Sequence, residues 1–274
     1  MALSILNNIP ALVAQNQLSV TGMQLQRTLF RMASGSRINS GADDAAGLAI
    51  ADGLRASISA LSQSARNAND GVGALQVADG ALAQVTTLLN RAVTLATEAA
   101  TGTVSDAQRT ALDDEFTAIK DEITRIGTDA TFNATSVFTA STTSIFLSDA
   151  SSTSSISVAV GTLAASDING SDLSSEDLTS AANAGTAVSA INTAIANVAG
   201  LRGTLGSTIN RLQAAANVIQ NQVQNLSAAE DGIRAADIAT EVANLSRFSI
   251  LNQTGIAALA QANSQQQAVL ALLR

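Results

Sequence analysis

The sequence predicts a mainly α-helical fold: an elongated antiparallel hairpin or coiled-coil bundle carrying a small β-containing, Ser/Thr-rich middle segment. Three observations predict it. Apolar residues recur at alternating steps of three and four along both flanks, the spacing of a helix seam. Aromatic residues make up 2% of the 274 residues, six Phe with no Trp or Tyr, which is too little to fill a thick globular core. Between Arg125 and Arg202 no basic residue occurs, while Asp129, Asp149, Asp167, Asp172, Glu176 and Asp177 all fall there. The middle is therefore chemically unlike the flanks.

In the first flank Leu18, Gly22, Leu25, Leu29 and Met32 mark one helix, and Gly35 and Gly41 interrupt it. Ser40 and Asp43 have the spacing of a capping box for the next helix. Its seam runs through Leu54, Ile58, Leu61, Ala65, Ala68, Val72 and Leu75 and resumes at Leu82. A helix from about residue 44 to 101 would be roughly 85 Å long. Ser105 and Gln108 cap a third helix with Leu112, Phe116, Ile119, Ile123 and Ile126 in register and Gly127 as its expected stop. In the middle, Ile156, Val158 and Val160 alternate with small residues as a half-buried strand does. The second flank holds the longest seam, from Val188 through Ile191, Ile195, Val198, Leu205, Ile209, Leu212, Ile219, Val223 and Leu226 to Ile233, with Arg202 and Glu230 at its two charged positions. Val242, Leu245, Phe248, Leu251, Ile256, Leu259, Val269 and Leu273 continue among Gln and Asn to the end.

These signals divide the chain into an N-terminal polymerisation helix and linker (1–39), N-terminal rod helices and hairpin (40–138), a surface segment (139–184), a C-terminal rod helix (185–236) and a C-terminal polymerisation helix (237–274). The simplest topology pairs the two long helices as antiparallel neighbours, which brings the termini together. One helix pair offers little core, so the terminal seams are expected to be buried by other copies. The residues assigned to that role are Leu18, Leu25, Leu29, Met32, Leu259, Val269 and Leu273.

With no His and no Cys, the chain lacks the usual nucleophilic triads and zinc ligands, and neither catalysis nor a cofactor or metal is expected. The adjacent Asp43 and Asp44 suit a helix start. Asp113, Asp114, Glu115, Asp121 and Glu122 read as a solvated helical face, since no Gly-punctuated calcium loop accompanies them. Gly71 and Gly73 follow no strand, so they suit close helix packing rather than phosphate binding. A net charge of −8 and a single lysine, Lys120, make nucleic acid a poor partner. Met1–Ala14 has no secretory pattern, and no run of about 20 apolar residues suggests membrane insertion.

Several strings carry a resemblance: SGSRINSGADDAAGLAIA from Ser34, SARNANDGVGALQ from Ser64, TFN from Thr131, NLSAAEDGIR from Asn225, and ILNQTGIAALAQANSQQQAVLALLR from Ile250. They closely resemble the two ends of bacterial flagellin, over residues 1–138 and 185–274. The resemblance implies a structural subunit, not an enzyme, whose terminal helices form the inner tubes of an extracellular flagellar filament that serves motility. It also implies secretion through the flagellar export apparatus, with an export chaperone, filament cap and junction proteins as partners. Arg91, Leu95 and Glu115 match positions at which some flagellins meet a vertebrate Toll-like receptor, although Val93 stands where recognised members often carry a second Arg. Two features depart from the family pattern: Ala268, not Pro, follows Gln265, Gln266 and Gln267, and the middle segment is short. The alternatives are a flagellar hook–filament junction protein or a surface adhesin with a coiled-coil stalk; an adhesin would call for an aromatic-rich middle, and only Phe132, Phe138 and Phe146 lie near it.

Overall fold

A computed structural model describes residues 7–148 and 154–272, with side chains as far as Gln265 in the last helix. The described elements are five helices, α1 (Ile9–Ser34), α2 (Ala45–Ala99), α3 (Asp106–Asp129), α4 (Ala181–Arg234) and α5 (Ile238–Leu272), with three strand pairs between α3 and α4. The pairs are β1–β2 (Thr131–Phe132, Thr135–Ser136), β3–β4 (Thr143–Phe146, Ser155–Val158) and β5–β6 (Leu163–Ala164, Asp167–Ile168), each antiparallel. Contacts divide the chain into a central unit, residues 57–224, and a terminal unit formed by the residues up to 56 and from 225 onward.

In the central unit, α2 buries Leu61, Ala68, Leu75, Leu82, Leu89 and Ala96, and α4 buries Ala184, Ile191, Val198, Leu205, Leu212 and Ile219. Both rows repeat every seven residues, the period at which two helices keep a shared seam. The helices run antiparallel, because Asp79 meets Arg202 while Gly71, earlier in α2, lies beside Leu212, later in α4. Arg202 Nε donates to Asp79 Oδ1 at 2.8 Å, so this charged seam position is neutralised across the pair. The small residues on both rows permit close approach, as the scarcity of aromatics requires.

The Ser105–Gln108 capping box forms as expected and starts α3. Arg109, which is buried, donates from Nε to the Ala99 carbonyl at 2.9 Å and from Nη2 to the Thr101 carbonyl at 3.1 Å. It thereby satisfies carbonyls that the end of α2 leaves open. Gly127 does not stop the helix as expected. The helix runs on to Asp129, and a Cβ at Gly127 would overlap the Leu163 carbonyl of β5. Glycine stands there because another backbone passes close by, a requirement local sequence cannot reveal.

The strand pairs carry more core than their Ser/Thr-rich composition suggests. Leu147, Val158, Val160, Leu163, Ile168, Leu173 and Leu178 are buried. Ile145 packs against Gly71, and Ser64 Oγ donates to the Ser148 carbonyl at 2.8 Å. Asn133 and Ala134 both take positive φ, 50° and 60°, as a two-residue hairpin turn requires. Three aspartates brace the returning chain. Hydrogen bonds from Thr162 and the Gly170 amide to Asp167, from Ser174 to Asp172, and from Thr179 and Asn183 to Asp177 hold each carboxyl below the ordinary aspartate value of 3.8. Depressed carboxylates stabilise the fold above the unfolded value and cease to do so as pH falls below it. Amide protection at Gly170, Ser174 and Thr179 should therefore drop as pH falls below the ordinary aspartate value of 3.8 and through the lower folded-state values, while amides along the α2 seam keep theirs; equal loss at both would refute the assignment.

In the terminal unit, Asn8 caps α1 by accepting from the Ala11 amide at 3.0 Å, and Pro10 lies in the first turn. Gly35 ends the helix in the left-handed region at φ 67°. The Ser40–Asp43 pair closes a turn but does not cap α2. That role belongs to Asp44, whose Oδ1 accepts from the Gly47 amide at 2.9 Å, so the helix begins at Ala45. The linker after α1 pairs with the break between α4 and α5: the Arg37 amide donates to the Arg234 carbonyl at 2.6 Å, and the Ala236 amide to the Gly35 carbonyl at 3.0 Å.

By length and mean hydropathy alone, α2 and α4 each contain a stretch that could cross a membrane, although neither holds a continuous apolar run of that length. Frequent Ala raises their mean hydropathy, while their buried rows supply the core of the central unit.

Candidate polymerisation surface

The terminal unit is built on α1 and α5, which pack antiparallel. Asn8 Nδ2 donates to the Ala262 carbonyl at 3.2 Å, Leu18 lies against Gly255, and Arg31 Nη1 stands 3.6 Å from Glu241 Oε1. Among the described residues of this unit, the buried apolar side chains are Ile38 and Ala51. That is a very small core for so much apolar sequence. By contrast, all the large exposed apolar residues of the described chain except Val77, Phe146 and Val218 lie in this unit.

On α1 the apolar residues form two stripes. Leu18, Leu25 and Met32, three of the expected polymerisation residues, are only half-buried, and Leu18 contacts α5. Leu29 is 45% exposed. The second stripe, Ile9, Val13, Val20, Met23 and Phe30, is exposed along its length, from 41% at Val20 to 69% at Phe30. On α5, Leu259 is half-buried, while Val242, Ile250 and Ile256 are exposed. The side chain of Val269 and the whole of Leu273 lie outside the described residues. Sequence reading missed the second stripe, although its signal was present: Ile9, Val13, Val20, Met23 and Phe30 keep the same three-and-four spacing, with Asn16 and Arg27 filling the gaps.

The three residues matched to receptor recognition differ in environment. Arg91 Nε donates to Glu115 Oε1 at 2.7 Å and Nη2 to Oε2 at 3.0 Å, and both side chains are exposed. This two-pronged bond holds the Glu115 carboxyl below its ordinary value. Leu95 is fully buried. Leu95 falls on the buried row shared with Ala92, Ala96 and Ala99, so of the matched positions only Arg91 and Glu115 are at the surface. Of the acidic run on α3, Asp113 accepts from the Leu178 amide and Glu122 pairs with Arg125, so these carboxylates serve the fold.

Long seven-spaced helices, a terminal unit with almost no core, and surface stripes of large apolar residues together define a structural subunit of the self-assembling kind. Residues 5–143 match the bacterial flagellin N-terminal helical region and residues 188–273 the C-terminal helical region. The chain is 38% identical over 277 residues to a flagellin of Halalkalibacterium halodurans, covering 98% of each sequence. It is 31% identical over 282 residues to flagellin FlaB1 of Treponema pallidum, covering 98% of this chain and 99% of that one. The crystal structure of Bacillus cereus flagellin superposes with a TM-score of 0.50 at 31% identity, over 60% of this chain and 94% of that chain. The chain belongs to the bacterial flagellin family and is a structural subunit of the flagellar filament.

Proposed function

We propose that the subunit polymerises through α1 and α5, with the second α1 stripe and the exposed apolar residues of α5 buried by neighbouring copies. The observation that carries this reading is the contrast between two stripes of equal spacing on one helix, one against α5 and one at the surface. Leu18, Leu25 and Met32 then act by pairing α1 with α5, and Leu29 and the second stripe act between subunits. The subunit is a non-enzymatic, secreted component of an extracellular filament. The export chaperone, export apparatus, cap and junction proteins are its partners by family resemblance. Recognition by a Toll-like receptor would rest on Arg91 and Glu115, the two surface members of the matched set.

Isolated helices with little covered apolar area are marginal in water, so α1 and α5 gain order as subunits join and neighbours cover their faces. Salting out the purified chain should give long filaments by electron microscopy, with helix content by circular dichroism rising in step. Limited proteolysis of the free subunit should trim both ends to a core near residues 40–235. Short plugs or amorphous aggregates in place of filaments, or protease-resistant ends in a verified monomer, would overturn the proposal.

A further inference from the structure

The contacts between α1 and α5 are mostly of a kind that tolerates sliding. Leu18 against Gly255 is apolar and undirected, and a seam of three-and-four spacing repeats itself one turn further along. At the far end, Asn8 makes hydrogen bonds to the Ala262 carbonyl and Asn263 Oδ1, at 3.2 and 3.4 Å; a shifted partner with another carbonyl and amide could replace them. Arg31 and Glu241 have no such substitute when α5 slips one turn so that later residues face α1, because Leu245 would then stand opposite Arg31 and Gly35 opposite Glu241; the opposite slip would bring Asp237 to Arg31 and Arg27 to Glu241. Theirs is the one ion pair that joins α1 to α5 among the described residues.

Its surroundings are unusual for a surface pair. The Glu241 side chain is 10% exposed and that of Arg31 32%. Arg31 Nε and Glu241 Oε2 are buried without a hydrogen-bond partner, and Arg31 also faces Asp43, at 3.6 Å. In the central unit Arg91–Glu115, Arg125–Glu122 and Arg202–Asp79 close to between 2.6 and 2.8 Å. A half-satisfied ion pair whose carboxylate is buried adds little stability, because desolvation offsets the attraction. The attested use of such a group within a helix seam is to fix register, since a slip toward later residues of α5 would leave the buried Glu241 carboxylate without its arginine. Arg31 lies in the last turn of α1 and Glu241 in the first turn of α5, each at the helix end that favours its charge.

We propose that Arg31 and Glu241 are the positioning residues that set the register of α1 against α5, and so decide which apolar residues each subunit offers to its neighbours. The proposal rests on the polymerisation reading for its consequence, but the register can be measured separately. A Cβ built at Gly255 would stand 3.9 Å from Leu18 Cβ, within the span of a disulfide, and the chain contains no cysteine. Leu18→Cys with Gly255→Cys therefore reports the native register, and Leu18→Cys with Ala258→Cys a slip of one turn. Each pair is introduced into the full chain and doped as a minority of subunits into filaments of the unaltered chain, then oxidised.

The native pair should cross-link almost completely and the slipped pair at background. With Arg31→Leu and Glu241→Leu added, the native yield should fall at least threefold and the slipped yield rise, although two well-packed leucines keep the helices together. Should this chain be left out of filaments, Glu241→Gln alone takes its place in the same assay, with the same change expected. Native yield retained with the slipped pair still at background would overturn the proposal while leaving the polymerisation reading intact. Failure of the unaltered chain to form filaments would refute that reading instead.

Discussion

Leu29→Ala should raise the subunit concentration needed for filament growth by about thirtyfold or more, and leave the melting of the free subunit almost unchanged. Leu29 is 45% exposed in the subunit, so shortening it removes little that the isolated chain uses. If a neighbour covers it in the filament, the loss is that of a buried leucine, about 2–5 kcal/mol. Each 1.4 kcal/mol is about tenfold in an equilibrium constant. Sedimentation of filaments over a concentration series, beside calorimetry of the monomer, separates the two effects. A fall in melting temperature matching the loss in assembly would place Leu29 in the subunit's own core.

Phe116→Ala should do the reverse. Phe116 is the largest fully buried side chain among the described residues, and Lys120 Nζ lies 4.8 Å from its ring centroid. Truncating a buried Phe costs about 3–5 kcal/mol, which for a unit of this size lowers the melting temperature by roughly 10 °C. In a chain so poor in aromatics, no large neighbour stands ready to fill the space. Filament growth at low temperature, where the central unit remains folded, should keep its critical concentration. A variant that melts normally would mean that α3 contributes little to the core, contrary to its burial.

Much of this was legible in the sequence because coiled-coil periodicity is a direct consequence of helix geometry. The rows of α2 and α4 repeat over six or more turns, and a pattern that long cannot be produced by another element. The capping box at Ser105 and the αL glycine at position 35 are equally local. What could not be read depends on partners distant in the chain. Gly127 is fixed by the approach of Leu163, Asp44 displaces Ser40 as a cap because the intervening residues close a turn of their own, and Leu95 is hidden by the packing of α2 within its unit. The hydrophobic residues of the middle are spaced irregularly around short hairpins, so their burial left no periodic trace. The second stripe on α1 is a different case: its spacing is visible in the sequence, but spacing alone does not say which faces of a helix are covered, and the exposure of Phe30 and its companions does.

That second stripe also bears on how long the assembled structure grows. It occupies a different side of α1 from the residues that meet α5, so contact between copies need not match a patch with itself. Contacts of unlike faces do not close unless the rotation between copies happens to return to its start. Each arriving subunit that covers one surface presents a fresh one, and the tip after a thousand additions is chemically the same as the tip after ten. A contact of that kind carries no record of how many copies have already joined.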